Sequence, residues 1–251
     1  MLSDNQFLRY GRQMLMPGWG EGGQRQLAQK SVAIIGLGGL GVPALANLAG
    51  SGIGRLLLVD GDSLSLSNLH RQWIYRASDV GQPKVQLARR WALSLNPDIR
   101  VEAFAQMADE LVLETLLPEV DLVLDCTDNL ASRHLINAAC VRRRKALISA
   151  AAIGWQGQLQ AILPQGPCFA CFCPTDQGAT PQGCSEAGVA APVVSAIGSL
   201  QSALALKHLL GETLETDQLY RFDGQSFHWS QFTLAPNPDC SLCGGHHESD
   251  H

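Results

Sequence analysis

From residue 31 onward, short apolar runs alternate along the chain with longer stretches of helical spacing. Ser31–Ile35 is an apolar run of strand length, followed by GLGGLG and a helix-like run through Leu48. Residues 55–60 (RLLLVD) read as a second strand of the fully buried kind that ends on an acid. Lys84–Leu95 has helical spacing and stops before the breaker pair Asn96-Pro97. Residues 99–104 and 121–126 then read as strands, 129–143 as a helix and 146–151 as a strand. This β-α-β alternation predicts an α/β fold: a Rossmann-like, doubly wound, mainly parallel sheet with helices on both faces.

Beyond residue 155 the pattern changes. Residues 157–163 look like a strand, 192–210 like a long helix, and 219–223 with 227–234 like a hairpin around Gly224. Strands linked so closely are antiparallel, so the C-terminal half should extend the sheet in mixed fashion. The Pro-, Gly- and Thr-rich stretch 174–183 is the expected mobile loop. A single domain over 1–251 is expected, with a helical segment at 1–30 and two halves, 31–155 and 156–251.

Composition narrows the class. A chain of 251 residues, 46% hydrophobic and 16% charged, is an ordinary globular protein with room for a sizeable core. A net charge of -5 argues against nucleic acid as a partner, which would favour a basic face. No apolar stretch reaches the roughly 18 residues of a membrane span. The best candidate, 187–206, is broken by Pro192, glycines and serines, so no membrane partner is expected. The first residues lack a basic region followed by an apolar run, and a cytoplasmic address is the expectation. Eight cysteines in that setting should be reduced thiols or metal ligands. The His-rich stretch 246–251 reads as a frayed end.

The glycine loop carries the first chemical signal. Gly36, Gly38, Gly39 and Gly41 follow a strand, open a helix and are trailed by Asp60 at the end of the next strand. Such glycines permit a tight turn and close backbone approach, the helix N-terminus attracts phosphate, and the acid can bond a ribose hydroxyl. This physics specifies a nucleotide's phosphates and ribose but not nicotinamide, so an NAD-dependent oxidoreductase and a purely structural turn both stay open here.

The following residues shift the balance. SNLHRQ (67–72) comes just after Asp60-Gly61-Asp62, and Pro83-Lys84 opens the next helix. An oxidoreductase leaves its pyrophosphate intact and has no evident need of Arg71 and Lys84 there. An enzyme that breaks a phosphoanhydride needs cations for the departing pyrophosphate. Either residue alone could equally be a solvated surface charge. DCTDN (125–129) stands at a strand end, where open parallel sheets place ligands. Its carboxylate could hold Mg²⁺ against triphosphate oxygens, or an Asp or Asn there could cap the following helix.

Arg9-Tyr10-x-Arg12-Gln13, GLGGLG, Asp60-x-Asp62, SNLHRQ, Pro83-Lys84 and DCTDN occur together and in order. The set continues through Gly157-Gln158, two CxxC pairs and Glu186-Ala187-Gly188-Val189. In this the chain resembles the ThiF/MoeB family, E1-like sulfur-carrier adenylyltransferases related to ubiquitin-activating enzymes, over nearly its whole length. The resemblance implies a first half that binds ATP and a second that meets the carrier. Gly36, Gly38, Gly39 and Gly41 would cradle the nucleotide, Asp60 would take the ribose, and Asn68, Arg71 and Lys84 would contact the phosphates. Asp128 would hold Mg²⁺, while Asp62, Ser67, Gln72 and Asn129 complete the nucleotide site. Arg12 would reach into a neighbouring subunit's site, which implies a homodimer. The implied partners are a small ubiquitin-like carrier ending in Gly-Gly and a sulfurtransferase or cysteine desulfurase.

The implied reaction joins the carrier's terminal carboxylate to AMP and releases pyrophosphate. A carboxylate is already ionised at pH 7, so no general base is needed; positioning and charge neutralisation remain. The residues around the loop are of that kind, and no Ser-His-Asp or paired-carboxylate constellation stands out.

Cys168-x-x-Cys171 and Cys240-x-x-Cys243 are two hooks able to close a tetrahedral Cys₄ site matched to Zn²⁺. Pro167, Pro238 and Gly244-Gly245 favour tight metal-binding turns over a buried redox helix, and a full thiolate shell makes the zinc structural. Cys184 matches the family's crossover loop, where it either captures the activated carrier covalently or is a plain loop thiol. Cys173 departs from the family pattern and receives no role. Cys126 and Cys140 read as small buried hydrophobes. Arg221-Phe222-Asp223-Gly224, Trp229 and Gly154-Trp155-Gln156-Gly157 look more like the thiamine (ThiS) branch than the molybdopterin (MoaD) branch. The rivals are an NAD-dependent oxidoreductase and a zinc-stabilised nucleotide sensor without turnover.

Overall fold

The structure, a computed structural model, describes residues 2–174 and 188–244. Cys184, residues 175–183 of the expected mobile loop and the stretch 246–251 lie outside the described residues. Two helices come first, α1 (Asp4–Met14) and α2 (Gly20–Leu27). A capping box starts α1: the Ser3 hydroxyl accepts from the Gln6 N–H, and the Gln6 side chain accepts from the Ser3 N–H at 3.0 Å.

The alternating part follows as β1 (Ser31–Ile35), α3 (Gly41–Ser51), β2 (Arg55–Val59), α4 (Lys84–Leu95), β3 (Arg100–Phe104), α5 (Glu110–Leu116), β4 (Leu122–Asp125), α6 (Leu130–Arg142) and β5 (Ala146–Ile153). Then come β6 (Gln156–Ile162), the single turn α7 (Phe169–Phe172), α8 (Ala191–Leu209), β7 (Gln218–Asp223) and β8 (His228–Thr233). One sheet holds all these strands in the order β3-β2-β1-β4-β5-β6-β7-β8. The first five are parallel and the last three join antiparallel. The parallel core and its antiparallel extension match the sequence-based expectation.

Each central strand is apolar on both faces because the sheet has a core on each side. Val32, Ile34, Leu56, Leu58, Leu122 and Leu124 face α3, α4 and α8. Their neighbours Ala33, Ile35, Leu57, Val59 and Val123 face α5 and α6. Side chains alternate faces along a strand, so these continuous apolar runs fill two layers at once. At roughly 1.5–3 kcal/mol per fully buried Leu, Ile or Val, the central strands anchor the fold. Strand boundaries differ from expectation by a residue or two. Asp121, for example, sits outside β4, where its carboxylate accepts from the Ser31 N–H at 2.8 Å.

The order β3-β2-β1-β4-β5 reverses direction between β1 and β4. Chain connections diverge to opposite sides there and leave a crevice at the carboxyl ends of the strands.

Candidate active site

A cavity of about 510 Å³ occupies that crevice, within the size range of small-molecule sites. Gly36, Gly38, Gly39, Asp60, Asp62, Ser67, Asn68, Arg71, Gln72, Lys84, Asp128 and Asn129 all line it. Residues spread along the first half of the chain meet here because each belongs to a segment that leaves the sheet at the same edge.

The glycine loop runs from β1 into α3. Gly36 has φ +92°, and a Cβ there would lie 2.8 Å from the Cys126 carbonyl oxygen. Gly41 closes the turn: a Cβ on it would lie 1.9 Å from the Gly36 carbonyl oxygen. Gly41 is therefore a packing residue and does not line the cavity. Gly38 is different, since a Cβ there would meet only the Gln72 amide nitrogen, at 3.6 Å. The space beside Gly38 is cavity, as a backbone cradle for phosphate requires.

Asp60 is buried and takes two backbone N–H groups, from Leu37 at 2.6 Å and from Asp62 at 2.8 Å. Burial raises its carboxyl above the ordinary value, while the Lys84 charge and the two N–H bonds pull it back. Each carboxylate oxygen keeps a second lone pair for a hydroxyl donor. The Tyr75 hydroxyl donates to the Leu37 carbonyl at 3.0 Å and steadies the loop from below.

Lys84 departs from the simple expectation of a free phosphate-binding cation. Its ammonium pairs with the Asp62 carboxylate at 2.8 Å. The Lys84 side chain is 7% exposed and that of Asp62 is 62% exposed. A buried ammonium needs a counter-charge, and the acid supplies it from the cavity rim. Arg71 is held by its own segment: Nη1 donates to the Ser67 carbonyl at 3.1 Å and lies 2.7 Å from His70 Nε2.

At the end of β4 the two readings of DCTDN separate. Asn129 caps α6, its side chain accepting from the Ser132 N–H at 2.9 Å. Asp128 is exposed at the cavity and makes no hydrogen bond or ion pair among the described residues. The capping role thus falls to Asn129 and leaves the Asp128 carboxylate available to a ligand.

Arg12 does not line this cavity. It rides on α1, whose Tyr10 hydroxyl accepts from Asn96 at 2.8 Å, while Asn96 also donates to the Ala49 carbonyl. Those contacts put α1 against the carboxyl ends of α3 and α4, at the opposite edge of the sheet. Arg12 cannot serve its own cavity from there.

Four residues beneath the site, Asp125, Arg133, Ser149 and Gln201, received no role from the sequence. Asp125 is buried at the end of β4, and its carboxylate accepts from the Thr127 N–H, the Thr127 hydroxyl and the Ser149 hydroxyl. Arg133, buried on α6, pairs with Asp125 at 3.4 Å. Gln201, on the apolar helix α8, donates to the carbonyls of Asp125 and Ile148 at 2.9 and 2.8 Å. The available signal was a lone glutamine within an apolar run, a position that seldom stays polar without partners.

The four hook cysteines meet on the α6 side of the sheet. Their Sγ atoms all lie within 4.8 Å of one another, with Cys168–Cys240 at 3.7 Å and Cys171–Cys243 at 3.3 Å. Tetrahedral zinc with Zn–S bonds of about 2.3 Å requires S···S separations of about 3.8 Å, so this donor set fits such an ion. Cys126 and Cys140 are buried, and burial pushes the Cys140 thiol up to about 12. Cys140 packs as an apolar core residue, whereas the Cys126 thiol also donates to Gln201 Oε1 at 3.2 Å. Cys173 packs beside the cluster, half-buried.

The model of the ThiF family matches residues 10–242. The chain belongs to the ThiF family. The sulfur carrier protein ThiS adenylyltransferase of Escherichia coli K12 is 42% identical over 247 residues, covering 97% of this chain and 98% of that protein. The molybdopterin-synthase adenylyltransferase of the same organism is 41% identical at the same coverage. Among solved structures, the microcin C7 biosynthetic enzyme MccB in complex with N-formylated MccA superposes with a TM-score of 0.82. That match has 25% identity over 96% of this chain and 76% of the other. Matched to such relatives from end to end, this ThiF-family chain is an adenylyltransferase. No helix among the described residues is long and apolar enough to cross a membrane.

Proposed function

We propose that this ThiF-family enzyme uses ATP to adenylate the C-terminal glycine carboxylate of a ubiquitin-like sulfur carrier of the ThiS kind, for sulfur incorporation in thiamine biosynthesis. The observation that carries the reading is the convergence of Arg71, Lys84 and Asp128 on the cavity that also contains the open backbone beside Gly38. A cradle for phosphates flanked by two cations and one unpaired acid suits cleavage of the α–β phosphoanhydride.

In this reading a carrier carboxylate oxygen attacks the α-phosphorus, the α–β bridging bond breaks, and its electron pair leaves with pyrophosphate. Asp60 orients the ribose. Asn68 and Arg71 hold the phosphates, and Lys84 turns from Asp62 toward the oxygens that gain charge. Asp128 would hold Mg²⁺, whose contribution is to neutralise triphosphate charge. Asp62, Ser67, Gln72 and Asn129 shape the rest of the nucleotide site. Arg12 acts in a second subunit of a homodimer, consistent with its place far from its own cavity. Cys168, Cys171, Cys240 and Cys243 would hold a structural zinc, which would tie the two hook segments together. Cys184 stands in the later sulfur steps, fed by a sulfurtransferase or cysteine desulfurase.

The nearest second reading is the same chemistry on a MoaD-like carrier, favoured by the 41% identical relative. Support for the thiamine branch rests on the segments around Trp155 and Trp229. Carrier-dependent exchange of labelled pyrophosphate into ATP tests both. Exchange is expected with a ThiS-like carrier ending in Gly-Gly and to be weak with a MoaD-like one. The reverse preference moves the enzyme to the molybdopterin branch, and exchange with neither overturns carrier adenylation.

A further inference from the structure

Beneath Asp128 lies a buried charge network that the reaction scheme leaves unused. Thr127 is gripped from both sides: its N–H and hydroxyl donate to one Asp125 oxygen at 3.0 and 2.6 Å, and its carbonyl accepts from Arg133 Nη2. Arg133 Nη1 reaches the other Asp125 oxygen at 3.4 Å and Ser149 Oγ at 3.2 Å. Ser149 in turn donates to that same Asp125 oxygen at 2.9 Å. The carbonyl of Thr127 and the N–H of Asp128 share one rigid peptide plane. Holding that carbonyl therefore fixes the direction in which Asp128 leaves the loop. On its far side Asp128 is followed by Asn129, which is pinned as the cap of α6.

The side chains of Asp125 and Arg133 are 1% and 6% exposed. A buried ion pair is costly to desolvate, and well-packed apolar residues of similar size often do as well for stability. Its benefit here is geometric. We propose that Arg133 is a positioning residue for adenylation: braced by Asp125 and Ser149, it aims the Asp128 carboxylate at the metal–triphosphate position. The proposal rests on the reading of Asp128 as the residue that holds Mg²⁺ with ATP.

The test is ATP affinity of the whole protein, measured by calorimetry while Mg²⁺ is titrated, alongside thermal unfolding. Arg133→Lys keeps the charge but loses the fork that joins Thr127 to Asp125. It should raise the Mg²⁺ needed for half-maximal tight ATP binding about tenfold, the effect typical of removing a support behind a metal ligand. ATP affinity in EDTA should stay as in the parent. Asp128→Ala should raise the Mg²⁺ requirement at least as far, and adding Arg133→Lys to it should change nothing more. Ser149→Ala, which only loosens the arginine, should give a shift of about threefold and keeps the test open if Arg133→Lys unfolds. Loss of ATP affinity equal with and without Mg²⁺, an unchanged Mg²⁺ requirement, or full additivity with Asp128→Ala would each reduce Arg133 to a structural residue. An unchanged Mg²⁺ requirement in Asp128→Ala alone instead overturns the reading of Asp128, and the role of Arg133 falls with it.

Discussion

Two acid–cation pairs flank the cavity, and they are built in opposite ways. In Lys84–Asp62 the cation is buried, but its acid stands 62% exposed at the rim, 2.8 Å away. In Arg133–Asp125 both partners are sealed in, and hydroxyls and backbone groups saturate them. A pair whose acid stands in water can exchange that acid for another anion, because the buried cation needs only some counter-charge. A sealed pair cannot lose one member without stranding the other. The first is suited to exchanging its partner for a phosphate during turnover, the second to holding a loop still.

The sealed pair should show the largest effect when broken. Asp125→Ala leaves Arg133 charged and unpaired in the interior, at a cost of about 3–5 kcal/mol. For a protein of this size that is a fall of about 10 °C in melting temperature by calorimetry. A melting point within a degree or two of the parent would show that the network is not the constraint its geometry describes.

Next comes a substitution that should hurt chemistry while sparing the fold. Lys84→Met keeps the buried stem and removes only the ammonium. Carrier-dependent pyrophosphate exchange should drop about 100- to 1000-fold, the scale of deleting one group that stabilises transition-state charge. The melting temperature should hardly move. A large fall in stability with exchange retained would reverse the roles assigned to the two pairs.

Asp62→Asn tests the weak side directly. Removing the acid takes the nearest counter-charge from a buried ammonium but leaves the Asp60 charge beside it, so the cost should be about 1–2 kcal/mol, or about 3–6 °C in melting temperature. A loss comparable to that of Asp125→Ala would erase the distinction between the pairs.

Legibility in the sequence follows the same division. Strands β1 to β5 announce themselves because a doubly covered parallel strand must be apolar at every position. The cavity-lining residues are legible for a related reason: they sit on segments that leave the sheet at its carboxyl edge, next to strong strand signals. Asn129 and Asp128 could not be told apart, since either is a good cap; the structure assigns the cap to Asn129. The sealed network was not legible as a unit because its members come from β4, α6, β5 and α8; Gln201 alone stood out, as a polar residue in an apolar run, and nothing local says what it bonds. Arg133 reads as one more charge on a helix, and Ser149 as a small residue in an apolar strand. Arg12 illustrates a different limit, because its position at the far edge of the sheet depends on how α1 packs, which no local spacing encodes.

The last and smallest effect asks whether the charge of Lys84 is felt beyond Asp62. Burial is the main cause that raises the Asp60 carboxyl above 3.8, and the nearby Lys84 charge is the first influence that lowers it again. Because the folded value lies above the unfolded one, the contribution of Asp60 to stability is full below pH 3.8. It is lost as pH rises through the folded value. Nucleoside binding should run the other way, since a ribose hydroxyl donates to the ionised carboxylate. Adenosine, which has no phosphates to engage Lys84, isolates this effect: its affinity should weaken as pH falls toward the Asp60 value. In Lys84→Met the opposing charge is gone, so the weakening should begin at higher pH. Coincident pH profiles for the two proteins, measured by calorimetry in the same buffers, would mean that Asp62 neutralises Lys84 completely and that the half-exposed pair is as closed electrically as the sealed one.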